Sequence, residues 1–213
     1  MARANRGFTL IELLIVIGIL AVLATLVILV LNPSELFKQS RDIRRLNDIK
    51  VLTAMVNYAR FGGKQLGAAS KRIDASIPDS AACPSITTPA LFNGWSRRCA
   101  IANDYLKMDG TGWLEVDFGN PFGVNQMGWM EYMAAIPQND LTGALSSKLP
   151  VDPTNTVAGD LYYMYLYNSG DFEFVATVES TKYQARAQDD GGYDSARYEV
   201  GSGMTLWKEA RNL

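Results

Sequence analysis

One block limits what this chain can fold into more than any other: FTLIELLIVIGILAVLATLVILVL, residues 8–31, in which Glu12 is the sole charge. From Leu13 to Leu31 the run is uncharged, and only Gly18 and Thr25 interrupt its large apolar side chains. As a helix that run is about 28 Å long, close to one hydrocarbon thickness of a bilayer. It can span a membrane, so the rest of the fold lies outside it. With 48% hydrophobic residues in the whole chain, the part after Leu31 can bury a core of its own. Glu12 is the anomaly, because a carboxylate at membrane depth is expensive unless a cation or a proton meets it.

Three kinds of segment compete for this block. A secretory signal has a shorter apolar core followed by a small-x-small cleavage site, whereas this run continues to Asn32-Pro33 with no such site. Cleavage after the block is therefore not expected. A plain single-span anchor explains the length and, through Arg3 and Arg6, an amino end held in the cytoplasm. It leaves Glu12 unexplained.

The third reading comes from Gly7-Phe8-Thr9-Leu10-Ile11-Glu12 and the apolar run behind it, which resemble the prepilin processing site of type IV pilins and type II secretion pseudopilins. The resemblance implies that residues 1–7 are a leader removed by a prepilin peptidase. It places the cut between Gly7 and Phe8 and an N-methyl group on Phe8. A glycine before the cut gives the backbone freedom to enter a protease site. Cutting there also retains the apolar block in the mature protein. Glu12 then has a use: when copies pack their apolar helices into a filament, its carboxylate pairs with the Phe8 amino group of a neighbour, each charge offsetting the other's desolvation. The plainer alternative is a glutamate lying among the headgroups of an anchor.

Pro33 removes an amide donor, so a kink or local melting is expected at Asn32-Pro33. Asn32 can equally cap a renewed helix, with Glu35 near its positive end. Over residues 32–62, Leu36, Ile43, Leu46, Ile49, Leu52 and Val56 mark an amphipathic stripe, while Arg41, Asp42, Arg44, Arg45, Asp48 and Lys50 fill other faces. Asp42 with Arg45, and Arg44 with Asp48, are spaced as intrahelical pairs that solvate a face or, alternatively, contact neighbouring subunits. Gly62-Gly63 stops the helix.

Residues 63–139 read as an enlarged connection between helix and sheet, with short elements at Trp113–Phe118 and Met127–Ala135. It holds both cysteines, Cys83 and Cys99, and a pair in an exported domain points to a disulfide. Residues 140–213 read as an antiparallel sheet and a carboxyl-terminal loop. Within them lie a turn at Asp152-Pro153, a strand over Leu161–Tyr167, a tight turn at Asn168–Asp171 and a second strand over Phe172–Glu179. Phe172, Phe174, Ala176 and Val178 form the face for the arm helix, leaving Glu173, Val175, Thr177 and Glu179 on a wetter face. Tyr162, Tyr163, Tyr165 and Tyr167 are read as core or cross-strand pairs in preference to a binding platform. Asp189, Asp190 and Asp194 around Gly191-Gly192 offer oxygen ligands for Ca²⁺, as in the late loop of some major pseudopilins; a simple acidic turn is the preferred reading.

The expected fold class is α+β: a long amino-terminal helix, half transmembrane and half amphipathic, packed on a small antiparallel sheet with an enlarged connection. The absence of histidine removes the commonest general base and metal ligand, and no converging acid-base set takes its place, so an enzyme is not expected. A formal charge of -2 gives no sign of a nucleic-acid partner. The expected partners are copies of the chain, the peptidase, an inner-membrane assembly platform with its motor, and lipid before assembly. The expected location is the inner membrane with a cytoplasmic amino terminus, then an extracytoplasmic filament. A membrane-anchored binding protein or filament-tip adhesin using residues 63–139 is the alternative.

Overall fold

The structure is a computed structural model and describes residues 8–67, 71–78, 94–100, 104–118 and 148–211. Gly7, Cys83 and the element expected at Met127–Ala135 lie outside them. Two helices open the chain, α1 over Leu10–Leu31 and α2 over Pro33–Phe61. Asn32 separates them in the left-handed region, with φ 42° and ψ 75°, so the expected break is real. Its side chain does not cap α2 but accepts the Ser34 hydroxyl at 2.7 Å, while its carbonyl takes the Glu35 amide. Proline at the first position costs nothing because that amide has no helical acceptor.

Five strands follow: β1 (Lys71–Pro78), β2 (Ser96–Ala100), β3 (Tyr163–Asn168), β4 (Asp171–Thr177) and β5 (Arg197–Gly201). They form one sheet in the order β2-β1-β3-β4-β5, antiparallel except for β1 with β2. The sheet is thus mixed, and two of its strands come from residues 63–139, read as a connection. β1 does alternate, with Ile73, Ala75 and Ile77 on one face, whereas β2 does not, and its pairing with β1 makes it a strand. Trp113–Phe118 is irregular apart from one bridge at Asp117, yet Trp113, Leu114 and Val116 are core residues. The hairpin between β3 and β4 turns on Ser169 and Gly170, both at positive φ, the geometry that matches strand twist in a two-residue loop. Two short helices, α3 (Thr181–Gln188) and α4 (Leu206–Ala210), flank β5.

The sheet is covered on both faces. On one, Leu46, Ile49, Leu52, Met55, Val56 and Ala59 of α2 meet Tyr163, Tyr165, Phe172, Phe174 and Ala176. The rings interlock, with Tyr165 and Phe174 centroids 5.0 Å apart. On the other, Ile73, Met164, Leu166 and Val175 pack under Leu206 and Trp207 of α4. This corrects the wetter face expected for β4: Glu173 and Val175 are fully buried, because five residues of α4 form a lid that no long-period pattern announces. Tyr162, Tyr163 and Tyr165 are core, and Tyr167 packs half-buried against it.

Candidate functional site

The amino end presents a helix with nothing on it. None of the 22 residues of α1 is buried. The helix is long and apolar enough to cross a membrane. Its first turn is closed by a capping box: Thr9 Oγ1 accepts the Glu12 amide at 3.3 Å, and Glu12 Oε2 accepts the Thr9 amide at 2.9 Å and hydroxyl at 2.8 Å. The T-x-x-E pattern before an apolar run carries this signal in the sequence, and the reading of Glu12 as a neighbour's partner passed over it. In the isolated chain the carboxylate is held by its own helix. Phe8 precedes it, 84% exposed.

Residues 2–28 match the family model of the prokaryotic N-terminal methylation motif. That match covers Gly7, Phe8 and Glu12 together and is consistent with a type IV pilin-like or pseudopilin chain. No curated protein and no solved structure matches the chain. The match ends inside α1, so everything from the end of the methylation motif onward is read from its own geometry.

The most charged part of that geometry joins α2 to the head. Arg45 is wholly buried and makes a two-bonded contact with Asp152, Nε to Oδ2 at 2.6 Å and Nη2 to Oδ1 at 3.0 Å. Its Nη1 reaches Asp42 at 2.8 Å and Glu179 at 2.5 Å. Arg41 grips the same Glu179 through Nε and Nη2, both at 2.8 Å. Asp42 in turn receives the Ser180 amide at 2.8 Å and hydroxyl at 2.6 Å, and Glu35 receives the Thr181 amide at 2.9 Å. The arginine contacts hold Glu179 down to about 2: hydrogen bonds from Arg41 act first, with Arg45 adding to them against the cost of burial.

Neither reading of these charges anticipated their burial. Asp42 and Arg45 form the expected intrahelical pair but face the head, while Leu36 and Ile43 of the expected stripe are 50% and 47% exposed. The stripe simply rotates off the head toward the helix start, where polar loops replace apolar strands. Arg44 and Asp48 are a looser pair at 3.7 Å, and Asp48 also accepts the Tyr163 hydroxyl at 2.9 Å.

Cys99 lies in β2 and is disulfide-bonded; the only other cysteine in the sequence is Cys83. The three aspartates considered for Ca²⁺ do not converge. Asp190 takes the amides of Gly192 at 2.7 Å and Glu199 at 2.7 Å, Asp194 pairs with Arg197 and Arg211, and Asp189 is exposed. Among the described residues no group of three or more acidic or cysteine side chains is arranged to hold a metal. The residues do not fit a calcium site.

Proposed function

We propose that the chain is a structural subunit, a prepilin or pseudopilin. In this reading it is trimmed between Gly7 and Phe8, methylated on Phe8, and assembled into a type IV pilus-like or type II secretion filament. The observation that carries the reading is an entirely unburied apolar helix that lies mostly within the methylation-motif match. An apolar helix with no packed face needs another medium: lipid first, then the same helix of other copies. The sequence of events places the chain in the inner membrane with a cytoplasmic amino terminus, its head outside, until a motor and platform extract it. The role is mechanical and not enzymatic.

On assembly Glu12 exchanges its local cap for the Phe8 amino group of a neighbour. Thr9 holds the carboxylate at the helix start until that cation arrives, and the pairing sets axial register. The decisive experiment is mass spectrometry of the amino terminus in sheared surface fibres and in membranes. Fibre protein beginning at methylated Phe8 supports the reading; a Met1 species confined to membranes, with no fibres, overturns it.

A further inference from the structure

Beneath α4 lie two acids that form no ion pair among the described residues. Glu173 on β4 and Glu199 on β5 are both wholly buried. They share one face, since the strand register sets Val175 opposite Glu199 and Glu173 opposite Gly201. Glu173 Oε2 accepts the Trp207 amide at 2.8 Å, tying down the first turn of α4. The two oxygens of Glu199 accept the amides of Tyr193 at 2.7 Å and Asp194 at 2.9 Å. A Cβ on Gly192 would run into the Glu199 carboxyl, so the loop closes tightly over that acid.

One oxygen is left over. Glu173 Oε1 is buried with no hydrogen-bond partner among the described residues, and the acid that shares its face on the adjoining strand is Glu199. Two carboxylate oxygens that meet there are both acceptors, so they satisfy each other only with a proton between them. Two anions in that sealed layer would repel.

The charged groups around the pair have other partners, although the buried Arg211 Nε has no hydrogen-bond partner among the described residues. On the loop, Asp190 takes the Glu199 amide and Asp194 pairs with Arg197 and Arg211. Arg197 of β5 also pairs with Asp160, and both arginines lie over the Trp207 ring, at 4.9 Å and 5.2 Å. Lys208 of α4 sits over Tyr193 at 4.7 Å, and Glu209 is exposed. At the start of β4, Asp171 accepts the Ser202 hydroxyl. From β1 and β3, Ile73, Met164 and Leu166 line this layer, and the phenol of Tyr162, just before β3, is buried with them.

We propose that Glu173 and Glu199 form a one-proton lock, in which Glu173 carries the proton, donates it to Glu199, and so holds α4 and the Asp190–Asp194 loop on the sheet. Loss of the proton leaves two adjacent anions, and the lid and loop open together. Burial pushes Glu173 up to about 8, with the neighbouring Glu199 adding to it, and burial raises Glu199 as well. The folded value of Glu173 lies above its ordinary 4.5, so the lock is at full strength below that value. Its contribution falls as pH climbs and is gone above about 8. Nothing in the lock depends on polymerisation.

The test uses the full chain in detergent micelles. Hydrogen-exchange protection is measured at the Trp207 and Asp194 amides, corrected for intrinsic rate and compared with the Ile49 amide in α2. Protection at the lid and loop is expected to fall by about tenfold per pH unit from the ordinary carboxylate range toward the Glu173 midpoint, then level off. In Glu173→Gln, where an amide nitrogen donates as the protonated acid does, it should stay constant. A flat wild-type profile, or an unchanged slope in the variant, overturns the lock. A carbon-13 carboxyl titration of the unmodified protein gives a second reading: a Glu173 midpoint above neutrality supports the lock, and one in the ordinary range refutes it.

Discussion

The two halves of the amino-terminal arm differ in a way their composition would not predict. α1 is far more apolar, yet none of its residues is buried, whereas α2, studded with arginine and aspartate, buries eight. The difference lies in pattern. α1 is apolar all round and offers the head no particular face, so the whole cylinder is left uncovered by it. α2 has a single stripe, and where the stripe drifts off the sheet a buried arginine takes over. Burial by this head is decided by periodicity and by specific partners, with hydrophobicity alone deciding only that water is not the final environment.

The comparison can be broken most forcefully at Arg45. Arg45→Ala strands Asp42 and Asp152, both buried, and should cost the head about 3–5 kcal/mol in a urea titration followed in micelles. Next comes the stripe: Ile49→Ala, at a fully buried position, should cost about 2–5 kcal/mol by the same measurement. A smaller effect separates charge from packing. Because Glu179 is held near 2 against an ordinary 4.5, its contribution is complete above 4.5 and is lost as pH falls toward 2. Glu179→Gln should start less stable at neutral pH and show a shallower acid limb in thermal melts. At the bottom of the scale, Leu23→Ala in α1 should change head unfolding by less than about 0.5 kcal/mol. A large loss there would mean that α1 packs on the head after all.

Much of this contrast is legible in the sequence. The apolar length of α1, the break at Asn32-Pro33, the stripe through Leu46, Ile49, Leu52 and Val56, and the hairpin of β3 with β4 all follow from local period and turn chemistry. The methylation motif is legible too, since it is a contiguous string. What sequence concealed depends on distant partners. Arg45 reads as a solvated charge until Asp152, 107 residues away, is brought to it. Glu173 sits in a clean strand alternation that assigns it to water, and only α4 reverses that. β1 and β2 are strands because β3 offers an edge to β1 and β1 offers one to β2. The Thr9–Glu12 cap is local, carried by the contiguous T-x-x-E string before the apolar run.

On the proposed function, α1 is buried against its own copies once the filament forms. Cryo-electron microscopy of fibres sheared from cells tests it most directly. The expected result is α1 helices of adjacent subunits packed at the fibre centre, with Glu12 beside a neighbour's Phe8. Fibres of this protein in which Leu10–Leu31 faces solvent, or in which Glu12 lies far from every neighbouring amino terminus, would contradict it.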